Sequence, residues 1–526
     1  MLRVTNDNLV EITSFLHKRR TRAVKKMEVG VFRSNLSFNR KLLKTMARRQ
    51  NLRDVDFKGT AFTCVPSKVL ANALTKLEIV RNLKMAQMTS EQVTDLLTEI
   101  GRGSRLKRLT LQGGEVPCNV RSVSFVNPMV LAKALTQLEE LDSSWNNLSP
   151  QHWEAIFALI GTYSRLKKVE IFDNLRYVDP HVLAAGLNRL EDVSIYFTKV
   201  TLRQVRVLLS EIRKGTRLTK LSLERIDLSS FSASLVSEAV HQVREINLSS
   251  TSLTSDQIEK ISAIICKRSN KLRKLSISSN SLSDVDLDLL AHGLMELEEV
   301  EAANMELTPE QAFVLVAAFA ASRKLRNVNL ELNDLSSVEP SLLARVVGNV
   351  EEINLGSTCL GIEQLEEICS KLCEATTTVK KISLWRSNIS KVDEVLLSKA
   401  LLQVSEVDLT STRITEHQAM TLFESLKEKG RLKKLKLAWN PNLWRIKKTE
   451  AMAIGLNELE SVDLFGGWDV QGNSNLPTVG HVTRILKQSL VNTKLRKINF
   501  GKIRGGEVNA ALVERAKEVI DHITLF

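Results

Sequence analysis

The chain has 526 residues, with 74 Lys and Arg against 60 Asp and Glu, so its formal net charge is +14. A hydrophobic content of 43% and a charged content of 25% are ordinary for a folded globular protein and argue against disorder. No apolar run reaches the roughly 18 residues that a membrane-spanning helix needs. The first apolar stretch, residues 9–16, precedes the basic Lys18-Arg19-Arg20, which reverses the order found in a secretory signal peptide.

The N-terminal segment is strongly basic. Residues 1–53 contain fourteen Lys and Arg against three acids, hence +11. We expect residues 1–23 to form a capping helix with a polar outer face, because the first unit of a repeat array must be shielded from water. The alternative is a nuclear-import or polyanion-binding patch over residues 18–26.

A motif of the form Leu/Val-x-x-Leu/Val/Ile-x-Leu/Ile recurs about 18 times, at spacings that alternate between about 25 and 28 residues. Its first residues are Val24, Leu52, Leu77, Leu106, Leu138, Leu166, Leu190, Leu218, Val243, Leu272, Leu297, Leu325, Val350, Val379, Val404, Leu432, Leu459 and Leu495. This spacing predicts a single repeat solenoid of short and long units over residues 24–503, closed by a C-terminal capping helix over residues 504–526.

Each unit is predicted to contain a short strand, a turn and a helix. In the short unit that begins at Leu272, the alternation of Leu275 and Ile277 indicates a strand. Four helices are predicted to start with a capping box, in which Thr and Gln side chains satisfy free backbone groups: Thr89/Gln92, Thr254/Gln257, Thr308/Gln311 and Thr415/Gln418. Turns after the strands are predicted to be held by Asn174, Asn280, Asn333, Asn388 and Asn440 in short units, and by Thr251, Thr358 and Thr412 in long units.

These motifs resemble the leucine-rich repeat superfamily, and the alternation of two unit lengths, each with a helix, resembles its ribonuclease-inhibitor-like class. The resemblance covers residues 24–500. It implies an α/β solenoid, a curved horseshoe with a parallel sheet on the concave face and helices on the convex face. That class includes inhibitors, GTPase activators and the sensor regions of NOD-like receptors. The sequence contains no Gly-x-x-x-x-Gly-Lys-Ser/Thr phosphate loop, so it lacks the nucleotide-binding module of such receptors.

The third residue of each motif is expected to point to the concave face, and its charge alternates in sign from Arg108 onward. We call this series the charge ladder: Arg108, Glu140, Lys168, Asp192, Lys220, Glu245, Lys274, Glu299, Asn327, Glu352, Lys381, Glu406, Lys434, Ser461 and Lys497. Neighbouring parallel strands lie about 4.8 Å apart, so the ladder should largely neutralise itself. It is interpreted first as a device for register and solubility, and second as a zwitterionic surface that binds a partner.

A partner-binding patch is predicted where the pattern changes near the C-terminus. Residues 427–448 contain nine Lys and Arg against one acid, and four of the six Trp lie between residues 385 and 468. The candidate contacts are Trp385, Arg386, Lys434, Lys436, Trp439, Trp444, Phe465 and Trp468. Aromatic rings beside cations suit a peptide, a nucleobase or a phosphate. The alternative is that these rings fill the rim of the repeats.

A second protein-contact surface is predicted in the N-terminal half, with local packing as the alternative. Exposed aromatic anchors are typical of interfaces. Its candidate residues are Trp145, Phe172, Tyr196 and Phe197.

No motif indicates catalysis. The eight His residues form neither a His-Glu-x-x-His pair nor another metal or nucleophile signature, and Cys369 and Cys373 are interpreted as buried thiols. We therefore predict a non-catalytic protein-binding scaffold or sensor without a cofactor, located in the cytoplasm, with the nucleus as an alternative. Two alternative functions are a nucleic-acid or anionic-lipid binder acting through the basic ends, and a GTPase regulator of the leucine-rich repeat type.

Overall fold

A computed structural model describes residues 2–4, 26–29, 43–44, 46, 52–57, 62, 65–84, 88–112, 125–142, 148–162, 164–195, 199–267, 269–374, 377–428, 430–446, 449–466 and 476–525. The chain divides into two compact units, Met1–Ser252 and Leu253–Phe526.

The first unit contains strands β1 to β10, each hydrogen-bonded in parallel to the next. They span Leu2–Val4, Lys26–Val29, Asp54–Phe57, Ile79–Lys84, Arg108–Gln112, Glu140–Asp142, Lys168–Ile171, Asp192–Ile195, Lys220–Ser222 and Glu245–Asn247. Its helices span Ser67–Leu74, Ser90–Arg102, Pro128–Leu135, Pro150–Ile160, Pro180–Leu187, Leu202–Lys214 and Ala233–Val240.

The second unit contains strands β11 to β20 in the same parallel arrangement. They span Lys274–Ser276, Glu299–Glu301, Asn327–Asn329, Glu352–Asn354, Lys381–Ser383, Glu406–Asp408, Lys434–Lys436, Ser461–Gly466, Lys497–Gly501 and His522–Leu525. Its helices span Ser255–Ile265, Leu287–Met295, Pro309–Ala321, Pro340–Asn349, Ile362–Leu372, Glu394–Leu402, Glu416–Ser425, Thr449–Leu456, Val479–Val491 and Ala510–Ala516, with a 3-10 turn at Pro441–Arg445.

Every one of the 18 predicted motifs coincides with a strand, and strand and helix alternate as the repeat requires. The termini carry more than the predicted caps. The segment 504–526 holds a helix followed by β20, which continues the strand pattern, and β1 lies within residues 1–23, most of which are outside the described part of the chain.

The helix starts follow from the capping boxes. All four predicted Thr/Gln boxes form, and Thr201/Gln204 adds a fifth. The Gln side chains also reach the preceding repeat: Nε2 of Gln418 donates to the carbonyl oxygens of Ile389 and Val392, both at 2.7 Å. Gln92, Gln204 and Gln311 bond carbonyl oxygens of the preceding repeat in the same way. These boxes therefore start a helix and tie it to its neighbour.

The turns after the strands are held by buried polar side chains. Asn280, Asn333 and Asn440 are each about 97% buried and bond backbone groups of the turn. Thr251, Thr358 and Thr412 are fully buried, as predicted for long units. Asn174 and Asn388 are exposed but still accept from a backbone N–H of the turn, that of Arg176 at 3.1 Å and that of Ser390 at 3.3 Å. Asp173 and Ser387 occupy the buried positions there.

Candidate functional site

One face of each strand set packs against the helices and the other faces solvent. In the second unit Leu275, Val300 and Ile353 are at most 2% exposed and point to the core. Because side chains alternate along a strand, the residues between them line the opposite face. That face forms a groove with a volume of about 740 Å³, which runs along strands β11 to β20.

The charge ladder forms the floor of this groove. Lys274 is the register partner of Glu299, and Glu352, Lys381, Glu406 and Lys434 are successive partners. Lys274 Nζ lies 3.4 Å from Glu299 and 2.6 Å from Glu301, and Lys381 lies 3.5 Å from Glu352. The predicted alternation of sign across neighbouring strands is confirmed.

The ladder perturbs the cations that it holds. Burial alone would lower the pKa of Lys274, but its hydrogen bond to Glu301 and the charges of Glu301 and Glu299 outweigh burial and raise the pKa. The hydrogen bond from Lys434 to Glu406 likewise raises the pKa of Lys434. Both ammonium groups are therefore charged at neutral pH.

In the first unit the ladder takes the same form. Arg108 pairs with Glu140. Lys168 lies 3.7 Å from Asp192 and Lys220 lies 2.7 Å from Glu245. Most of these side chains are at least one-third exposed, so each pair contributes only about 0 to 1 kcal/mol.

Trp385 lies along the edge of the groove just beyond β15. Its indole covers Gly356 so closely that a Cβ there would come 1.8 Å from Trp385 Cδ1. Trp385 Nε1 donates to Glu331 Oε2 at 3.3 Å, and the same oxygen accepts from Asn354 Nδ2 at 2.5 Å. The Arg386 guanidinium sits 5.2 Å from the ring centroid, so one face of a half-buried indole is braced by a cation.

Trp439 and Phe465 form an aromatic pair where strands β17 and β18 end, outside the residues that line the groove. Trp439 is 46% exposed, and the two ring centroids are 5.7 Å apart at 56°. Trp439 has a φ of 58°, and residues at the equivalent place in several other repeats, among them Ser279, Leu332 and Arg386, share this left-handed backbone. The exposure of the ring therefore comes from a repeat-wide turn that points this position outward.

Fewer of the predicted surplus cations are without an ion pair than the count along the sequence indicates. Lys436 lies 2.9 Å from Asp408, Lys433 lies 3.0 Å from Glu460, and Lys434 pairs with Glu406. The carboxylates come from the flanking repeats, which a count along residues 427–448 does not include.

Two further aromatic residues, Trp444 and Trp468, are predicted to contact a partner. Trp444 is only 7% exposed, and its ring packs against His481 with centroids 5.6 Å apart. The prediction that Trp444 contacts a partner is therefore corrected: the 3-10 turn at Pro441–Arg445 folds it inward. Trp468 lies outside the described residues.

The structure describes one of the four residues of the second predicted surface. Phe172 is half-buried, and Trp145, Tyr196 and Phe197 lie outside the described residues. That surface stays a prediction.

Sequence reasoning missed Glu331, Asn354 and Gly356, which hold the Trp385 ring. A weak signal was present: Gly356 and Trp385 occupy equivalent positions in neighbouring units, and a residue without a side chain leaves room for an indole. Within the described ranges, no group of three His, Cys, Asp or Glu residues could hold a metal ion. Nor does any described helix combine the length and the apolar run that a membrane span requires.

Curated relatives agree with this architecture. A ribonuclease inhibitor from Sus scrofa is 23% identical over 266 residues, which is 42% of this chain and 58% of that protein. A ribonuclease inhibitor from Mus musculus is 21% identical over 320 residues, which is 51% of this chain and 70% of that protein. The fold is a leucine-rich repeat solenoid, and the chain is similar to ribonuclease inhibitors of that architecture. No protein-family model matches this leucine-rich repeat chain.

The matched part spans just over half the length of the porcine inhibitor. Among solved structures, the crystal structure of a TLR13–ssRNA13 complex aligns with 91% of this leucine-rich repeat protein and 63% of that chain. The TM-score is 0.40 and the sequence identity 12%.

Proposed function

We propose that this protein is a non-catalytic protein-binding scaffold or sensor that binds its partner in the groove of the second unit. The observation that carries the proposal is a charged groove with Trp385 in its lining and a second aromatic pair, Trp439 and Phe465, at the ends of neighbouring strands β17 and β18. Large aromatic side chains beside polar groups are the commonest energetic centres of protein interfaces. The four cysteines that the structure describes are free thiols, which favours an intracellular location.

The relatives suggest a first partner to test. Two of them are named ribonuclease inhibitors, so binding of a ribonuclease is a specific candidate for this chain. It can be measured directly as loss of ribonuclease activity on addition of the purified chain.

The general proposal is tested by affinity capture from lysate with the double variant Trp385→Ala/Trp439→Ala. We expect it to lose the partners that the wild-type chain retains, because Trp385 lines the groove and the half-exposed ring of Trp439 lies just past strand β17. Phe313→Ala is the matched control, since Phe313 is 49% exposed on the helix Pro309–Ala321 and does not line the groove. Identical capture by wild type and double variant contradicts the proposal.

Folding must be checked in the same experiment, because Trp385 is hydrogen-bonded to Glu331. Thermal unfolding of the double variant should match wild type within a few degrees. If Trp385→Ala lowers the midpoint further, Trp439→Ala alone carries the test, since that side chain is nearly half exposed.

Polyanion binding through the basic ends is the alternative. The ion pairs of Lys433, Lys434 and Lys436 reduce the charge available for phosphates. Capture at low and high salt, with and without nuclease, separates the two functions, because phosphate contacts weaken steeply as salt rises.

A further inference from the structure

The charge ladder of the second unit is interrupted by two neutral residues. We call the position of Asn327 the cation gap and the position of Ser461 the anion gap. Asn327 stands between Glu299 and Glu352, where the alternation requires a cation. Ser461 stands between Lys434 and Lys497, where it requires an anion. At all other positions from Lys274 to Lys497 the sign alternates.

The cation gap at Asn327 is surrounded by carboxylates. Glu299, Glu301, Glu331 and Glu352 line the groove on strands β12 to β14 or just beyond them, and no cation lines it there. The cations on the flanking strands, Lys274 and Lys381, already pair with Glu299, Glu301 and Glu352. In the described part of the chain, Glu331 makes no ion pair, and its partners are the neutral Trp385 and Asn354.

The anion gap at Ser461 has the opposite character. Lys434 leans toward Glu406 on one side, and on the other side Lys497 is exposed and has no ion pair within the described residues. Asp463 lines the groove two residues further along the same strand, about 7 Å away, and accepts from Asn499. Lys434 and Lys436 already pair with Glu406 and Asp408 of β16, so Lys497 is the cation of the groove lining on strands β17 to β19 that has no ion pair within the described residues.

Each gap lies on a strand whose far end is close to an aromatic side chain. Trp385 bonds Glu331, whose carboxylate borders the cation gap. Trp439 follows β17, and Phe465 lies in β18, which is also the strand of Ser461. A partner that places apolar surface on these rings therefore brings its neighbouring side chains to the two gaps.

We propose that the partner is a protein that supplies both missing charges. A Lys or Arg side chain would occupy the gap at Asn327, and an Asp or Glu side chain the gap at Ser461. The gaps are five strands apart, so the two partner groups should be about 20 to 24 Å from each other. This inference rests on the proposed function of the groove and specifies the chemistry of its ligand.

The probe is a displayed library randomised across one face of a rigid three-helix bundle, selected against the full chain. Selected binders should carry a basic and an acidic side chain about 20 to 24 Å apart. Asn327→Lys and Ser461→Glu complete the ladder and fill the gaps, so each should raise the Kd of such binders more than about tenfold. Replacing the basic residue of a binder by Glu should restore its affinity for Asn327→Lys.

Ser336→Lys and Ser370→Glu introduce the same charges at exposed positions outside the groove and should change the Kd less than twofold. Binders that depend on Trp439 but tolerate both gap substitutions would overturn this inference and leave the proposed function standing. A selection that yields no binder sensitive to Trp439→Ala would overturn both.

Discussion

Cys369 is a buried thiol whose ionisation is coupled to folding. It lies in the helix Ile362–Leu372 and is 2% exposed. Burial, with smaller contributions from Cys373 and Glu366, raises the pKa of Cys369 to about 12. The neighbouring Cys373 is exposed, so the expectation of two buried thiols holds for Cys369 and is wrong for Cys373.

The free energy of unfolding should therefore fall as pH rises above about 9. In that range the unfolded chain ionises Cys369 and the folded chain does not, so this group contributes a loss of about 1.4 kcal/mol per pH unit up to about pH 12. When the free energy of unfolding is measured by urea denaturation from pH 9 to 10.5, it should fall less steeply with pH for Cys369→Ala than for wild type. Between pH 7 and 8 the two slopes should coincide; equal slopes above pH 9 would contradict the assignment.

At the scale of the element, one glutamine both starts a helix and joins it to the preceding repeat. Gln418 Oε1 accepts from Thr415 N at 2.9 Å, and Gln418 N donates to Thr415 Oγ1 at 3.2 Å. Its Nε2 makes the two bonds to Ile389 and Val392 described above. The side chain is 3% exposed, so a lost bond leaves a buried carbonyl without a donor.

Gln418→Ala should lower the free energy of unfolding by about 2 to 4 kcal/mol, from the lost cap and two lost buried hydrogen bonds. Gln418→Glu keeps the acceptor for the cap but loses the donors, so it isolates the contribution of the contact between repeats. Denaturant unfolding measures both, with Gln403→Ala at a half-buried helix end as the control. A change below about 0.5 kcal/mol for Gln418→Ala would show that neighbouring backbone groups compensate.

Local contacts could be predicted from the sequence, whereas contacts between repeats could not. The boxes at Thr308 and Thr415 were predictable because Thr and Gln three residues apart act locally. The hydrogen bonds from Gln418 to the preceding repeat were not predictable, because they depend on where the fold places Ile389 and Val392. These two residues lie 29 and 26 residues before Gln418 in the sequence. The burial of Trp444 was not predictable either, because it depends on the 3-10 turn at Pro441–Arg445 and on contact with His481 of a later helix.

For the molecule as a whole, the register of the strands was readable from the repeat, and so was the charge ladder. What could not be read was which cations remain unpaired. Lys434 and Lys436 find carboxylates on the preceding strand, whereas Lys497 finds none within the described residues. Sequence counts along one segment cannot detect pairing across 28 residues.

Asn327→Lys should leave the fold intact or stabilise it by about 0 to 1 kcal/mol, because the new ammonium would stand between Glu299 and Glu352 on an exposed face. Thermal unfolding of this variant beside Ser336→Lys measures the effect. A lower midpoint for Asn327→Lys alone would mean that the amide is needed where it stands.

The alternation of sign restricts how such a chain can change its length. Leu272 and Leu325 are 53 residues apart and begin consecutive short units. A duplication or deletion of such a pair would preserve the alternation of sign wherever it holds, whereas the gain or loss of a single unit would align like charges and interrupt the order of short and long helices. Genetic growth of this array is therefore expected to proceed in steps of two.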